Sequence, residues 1–320
     1  MTSNFIPLIG SEVALSLYPQ LIKLIPTTIE NQVATRCITY SILAILGYYI
    51  TQNNNNNNNT ILNTPNSNVL SFIKTTILMG LVNIIHIISS YMCFNTLSSG
   101  VGYSIFYMYP IFNLLGRTFI YDEKINSINY IYILISILGV YLIYKHNKKE
   151  TTNTNTEHVP EPKIEPFFNM NDILNTKNTT IGIVAGIISA LTESMIYFMI
   201  KDNPISVSPF IQLLKTYLLG GILSVIYLIH SIISNTPTTT SLDYHYWITL
   251  ILFNAIIGFV GYLLRFIMIP LLSTLLFNSL IFTGVIFSYI WGYILSNEPL
   301  TYSNVSGTLL ILSSIFLINK

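Results

Sequence analysis

Apolar runs of about 18 to 25 residues recur along this chain, separated by short polar breaks, and a helix needs a run of roughly that length to cross about 30 Å of hydrocarbon. The runs are continuous, as from Ile131 to Tyr144, unlike the alternating pattern of a transmembrane barrel. Helices are expected, because each satisfies its own backbone hydrogen bonds in lipid. Charge agrees with this. Only 8% of the 320 residues are Asp, Glu, Lys or Arg and 52% are hydrophobic, whereas a soluble domain carries roughly a quarter of its residues charged. The expected fold class is all-α, a polytopic membrane protein.

Apolar runs set against polar breaks predict helices near 5–25, 32–50, 70–95, 100–120 and 128–145, then near 180–201, 207–234, 245–267, 270–295 and 301–319. Between the two groups lies a hydrophilic stretch, 146–178, whose Lys148, Lys149, Glu150, Pro160, Pro162 and Pro166 mark a hydrated linker. The Asn53–Asn59 run reads as a low-complexity loop. No basic region precedes the first apolar run, which carries Glu12 and Pro19, so a retained span is expected rather than a cleaved signal.

Several function classes drop out. A net charge of +1, with no basic cluster interleaved with aromatics, offers nothing to nucleic acid. Cys37 and Cys93 sit in separate apolar runs with no metal-ligand spacing and read as packing residues. There is no H-E-x-x-H, no G-x-S-x-G and no P-loop, so neither an enzyme, nor a cofactor, nor self-contained ATP hydrolysis is expected. The expected partners are a small-molecule solute and the lipid bilayer.

The two groups of helices echo each other. Asn83 precedes Tyr91 by eight positions, and Asn254 precedes Tyr262 by the same interval. Lys23 and Lys201 close the first runs of each half, Arg36 and Lys215 lie 13 and 14 positions beyond them, and Glu123 and Glu298 follow the fourth runs. Gly139 and Ser314 lie sixteen positions past those glutamates. Such recurrence predicts a duplicated fold, 1–145 and 179–320, of the kind that places a binding site between the halves.

With these landmarks in hand, the chain resembles the drug/metabolite transporter superfamily, in its EamA-like branch. The resemblance rests on five-plus-five helices, on Tyr91 to Glu123 with its internal Pro110, and on Trp291-Gly292-Tyr293 leading into Asn297-Glu298-Pro299-Leu300, with Gly307 beyond. It implies two inverted five-helix repeats, a central cavity, alternating access for small solutes and termini in the cytosol. Lys and Arg counts on the two sides tie, so the positive-inside rule does not orient the chain. The half-repeat counterpart of Pro110 falls near 281–285, where there is no proline.

A charge at mid-membrane costs from about 2.5 kcal/mol upward, which makes it a functional candidate. Glu12, Arg36, Glu193 and Lys215 stand well inside apolar runs. Superposing Lys23 on Lys201 sets Glu193 opposite Leu15, three residues from Glu12 and on nearly the same helical face. Both acids are then expected to face one cavity, as contacts to a solute amine or as proton carriers, or else in static pairs with Arg36 or Lys215. The two cations are candidate contacts to an anionic solute. Asn83, Tyr91, Asn254 and Tyr262 are candidate lining residues, with interhelical bonding as the alternative.

Lys23, Lys201 and Arg265 fall near predicted ends and are expected to snorkel to the headgroups. His86 reads as a packing residue or a pH-sensitive group. Gly182 and Gly186 allow close helix approach, and Pro19 and Pro110 are expected to kink their spans. Function is expected to be secondary transport or exchange of a zwitterionic or anionic, amino-acid-like metabolite. The competing reading is a membrane scaffold that keeps a diverged transporter fold without transporting.

Overall fold

The computed structural model describes residues 5–54, 69–121, 126–154, 178–202, 207–233 and 244–318. Glu123 and the part of the hydrophilic stretch from 155 to 177 lie outside them. Among the described residues the fold is helical, with no strand. The helices are α1 (Ile6–Leu15), α2 (Tyr18–Leu24), α3 (Ile29–Asn54), α4 (Val69–Thr96), α5 (Ser99–Phe106), α6 (Tyr109–Tyr121) and α7 (Ser127–Thr154). Then follow α8 (Thr179–Lys201), α9 (Pro209–Ile233), α10 (Tyr244–Leu252), a π-helical turn (Phe253–Gly258), α11 (Phe259–Leu271), α12 (Thr274–Leu280), α13 (Phe282–Ser296) and α14 (Tyr302–Ile318). Among the described residues, seven helical stretches are long and apolar enough to cross a membrane.

Polarity is distributed inside out relative to a soluble protein. Leu134, Ile137, Leu138 and Tyr141 on α7, and Ile222, Ile226 and Ile233 on α9, are exposed, while Glu12, Arg36, Glu193, Arg265 and many Ser, Thr and Asn are buried. Exposed aliphatic faces suit lipid; a polar interior suits helices held together by hydrogen bonds and close packing.

Three expected spans are broken rather than merely kinked. The first divides at Ser16–Leu17, with Pro19 at the second position of α2, where a missing N–H leaves no bond unmade. The fourth divides at Tyr107–Met108, with Pro110 again second in α6. The ninth divides at Ile281, at the place that corresponds to Pro110 but without a proline. The helix α7 runs on to Thr154, past position 146 where the hydrophilic stretch begins.

Neighbouring helices come mostly from opposite halves: α3 packs on α9, α7 on α14, α4 on α8, α1 on α11, and α5 on α13. The α7–α14 crossing is a backbone contact, since a Cβ on Gly139 would lie 2.6 Å from the Gly307 carbonyl and one on Gly307 2.8 Å from that of Gly139. Gly139 therefore meets Gly307. Gly182 and Gly186 make the close approach read from their spacing, against Thr96 and Leu97 and against Ile105 and Cys93.

Candidate solute site

Three helices bring charge to one point. Glu12 lies in the last turn of α1, which Ser11 ties to α11 through a 2.8 Å bond to the Gly261 carbonyl. Arg265 on α11 meets both acids: its Nη2 is 3.0 Å from Glu193 Oε1 on α8, and its Nε is 3.7 Å from Glu12 Oε1. Glu12, Glu193 and Arg265 are buried, at 0%, 5% and 1% exposure. Gly284 on α13 leaves room for the carboxylate, because a Cβ there would stand 2.9 Å from Glu12 Oε2.

The break between α5 and α6 completes this group. Tyr107 donates its hydroxyl hydrogen to Glu12, and Tyr109 accepts a 2.8 Å bond from Arg265 Nη2. Residues two apart on an unbroken helix point about 200° from each other, so interrupting the helix between these tyrosines is what lets both serve one site.

Beside it stands a second cation of a different kind. Arg36 on α3 is 2% exposed, with its guanidinium carbon 4.6 Å from the ring centre of Tyr18, 4.7 Å from Tyr262, 5.4 Å from Tyr40, 5.7 Å from Tyr91 and 5.8 Å from Tyr217. Arg36 Nη2 donates a 3.0 Å hydrogen bond to the Tyr217 hydroxyl. Among the described residues no carboxylate pairs with Arg36, and its Nε and the Tyr91 hydroxyl carry no hydrogen bond. Rings of this sort hold a cation by their π faces without neutralising it.

The remaining expected residues divide between the site and its surroundings. Asn254, in the π-helical turn, accepts a 2.8 Å bond from Tyr18 and so stands at the edge of the tyrosine cage. Asn83 instead donates to the Thr216 carbonyl, 3.1 Å, joining α4 to α9. Lys215 does not join Arg36: it is partly exposed, with its amine over the ring of Phe72 at 4.7 Å. Lys201 caps the end of α11 through the carbonyls of Ile269 and Leu272, at 3.1 and 2.7 Å. Arg265, expected to snorkel, is a central residue. The described hollows lie elsewhere, between α3, α4 and α9, between α6 and α8, and between α4 and α8, in apolar grooves lined by residues such as Leu223, Phe119 and Val184. The charged centre itself is closed over.

One end of that closure is a polar latch. Asn297 adopts a left-handed conformation at φ 50°, which short polar side chains tolerate, and turns the chain so that Glu298 N bonds the Gly292 carbonyl at 3.0 Å. Glu298 then pairs with Lys23 and accepts from the Ser99 amide and hydroxyl, at 2.7 and 2.9 Å. Trp291 Nε1 reaches the α1–α2 break at Ser16 Oγ, 3.1 Å. The motif from Trp291 to Glu298 thus fastens the ends of α2, α5 and α13 together.

Long apolar helices with lipid-facing exteriors around a closed, charged centre define an integral multi-pass membrane protein. The model of the EamA-like transporter family matches residues 6–145 and 180–320, and the chain belongs to that family, within the drug/metabolite transporter superfamily. It is therefore of a membrane-transporter type, a family of transporters rather than enzymes. A solved structure described as "Crystal structure of protein" is similar over 98% of this chain and 94% of its own, at 12% identity and a TM-score of 0.54, a likeness of fold alone. No curated protein matches.

Proposed function

We propose that this chain is a secondary transporter or exchanger that moves a small polar metabolite bearing a carboxylate or phosphate, amino-acid-like, zwitterionic or anionic, by alternating access. The first repeat is 1–145 and the second 179–320. Ten crossings and an inverted relation between the repeats are part of this reading. Counting broken helices as one span each, the pairs α3–α9, α7–α14 and α5–α13 join the second, fifth and fourth spans of one half to their counterparts in the other. The pairs α1–α11 and α4–α8 exchange with each other under the same swap of halves.

The observation that carries the solute class is Arg36. Burying a cation without a counter-charge is costly, while Glu12 and Glu193 are engaged by Arg265. An arriving anion is the natural partner, and a guanidinium binds carboxylate or phosphate with paired donors. For a zwitterion, Glu12 Oε1 and Glu193 Oε2, neither hydrogen-bonded, are available to its ammonium group.

The test is uptake of radiolabelled alanine, glutamate, malate, inorganic phosphate and a cationic amine into proteoliposomes. Arg36→Gln is expected to lower uptake of the anionic solutes about tenfold or more, the scale of losing a charge-assisted bond. Loss of uptake in Arg36→Gln that is equal for a cationic amine and for glutamate, with normal thermal stability, refutes anion recognition. An absence of flux for every solute favours the non-transporting scaffold.

A further inference from the structure

His86 is buried at 1% exposure on α4, beside Glu193 of α8. Its Nδ1 lies 3.2 Å from the Ser189 carbonyl, which only accepts, so the ring hydrogen belongs on Nδ1. The hydroxyls of Ser189 and Thr192 are each 3.4 Å from the same atom, and that of Thr192 already donates to the Ile188 carbonyl at 2.9 Å. The neutral ring then turns the lone pair of Nε2 toward Glu193 Oε2, 3.4 Å away. That oxygen has no hydrogen-bond partner. Two acceptors face each other across a gap that one proton would bridge.

The charge count gives this gap a use. Arg36, Arg265, Glu12 and Glu193 sum to zero when His86 is neutral. A monoanion on Arg36 leaves the buried cluster at minus one, and a single proton on His86 Nε2, hydrogen-bonded to Glu193, returns it to zero. Resting on the transport reading above, we propose that His86 and Glu193 form a proton site, so that a solute of net charge minus one crosses with one proton. The proton comes from the water phase that admits the solute and leaves with it on the other side; no other bond is made or broken.

The surroundings of His86 bear on this directly. Against α4, α8 brings Glu193, α3 brings Arg36 and α5 brings the ring of Phe106, 5.6 Å away. Arg265 of α11 holds the other oxygen of Glu193 at 3.0 Å. Of the other helices packed on α4, α2 turns Tyr18 toward Arg36 and Lys23 toward Glu298, and α9 turns Tyr217 toward Arg36 and Lys215 toward Phe72. Glu193 is the acid in contact with the imidazole, and two fixed cations flank the pair, so occupancy of Arg36 by an anion shifts the balance toward a protonated ring.

Proteoliposomes with an alkaline interior test the proposal with labelled glutamate and inorganic phosphate. Glutamate is expected to accumulate by about tenfold per unit of pH difference, without response to a valinomycin-set potential. His86→Gln is expected to keep measurable glutamate exchange between equal pools at equal pH and to lose the pH-driven accumulation. Wild-type flux that ignores the pH gradient, or movement of alanine alone, overturns the proton site and leaves the transport reading standing. Parallel loss of exchange and accumulation in His86→Gln assigns His86 a structural role and also overturns it. No flux of any solute in the wild type removes both readings.

Discussion

Without Arg265, the carboxylates of Glu12 and Glu193 would sit buried and close together with no cation in contact, a situation that costs about 3–5 kcal/mol when one partner of a buried pair is removed. Arg265→Met is therefore expected to lower the thermal unfolding midpoint in detergent sharply. Adding Glu12→Gln and Glu193→Gln to the same chain is expected to restore most of the loss, and failure of that rescue would show that the arginine stabilises by packing alone. The acids were legible in the sequence as charges inside apolar runs, whereas Arg265 was not. An eighth helix ending near 267 places it at an interface, but the π-helical turn and the continuation to Leu271 draw it inward. Lys215 fails for a related reason. Its offset from Lys201 exceeds that of Arg36 from Lys23 by one residue, and one residue turns a helix by about 100°, enough to carry the amine out to Phe72. Tyr217, two positions on, is the residue of α9 that reaches Arg36.

Three helices here are interrupted, and at one of the breaks two side chains come to serve the same site. Pro19 and Pro110 announce two of the breaks, and the Tyr107–Tyr109 pair gains its common aim from the second. The break at Ile281 has no such signal, since no proline stands there. The α7–α14 crossing is a case of one element depending on another. Gly307→Leu would press a side chain into the Gly139 carbonyl and into Ile143 Cγ1, 2.7 Å from the added Cβ. Overpacking of this kind costs about 1–3 kcal/mol. A lower unfolding midpoint for Gly307→Leu is the expected result, and an unchanged midpoint would mean that the two helices do not cross backbone to backbone. Gly307 stood out in the sequence only as a family landmark; its partner depends on a contact between residues far apart in the chain.

Because each half finds its closest neighbours in the other, the polar interior belongs to neither half separately. Glu12 and Arg36 lie in the first half, while Arg265, Glu193, Tyr217 and Tyr262 lie in the second. Two chains, one ending at Thr154 and one beginning at Asn178, are expected to yield an associated, detergent-stable complex when co-expressed, and the first alone to be degraded. A stable, monodisperse first half on its own would contradict the shared interior. The pairing also bears on the order of events at the ribosome. Glu12 and Arg36 enter the bilayer well before the residues that receive them have been translated, each at an insertion cost of about 2.5–3.5 kcal/mol. During that interval the nascent chain needs shelter that it cannot supply, from an insertase cavity, a local dent in the bilayer or lipid headgroups drawn inward. The rate at which the second half arrives therefore governs how much of the newly made protein escapes quality control.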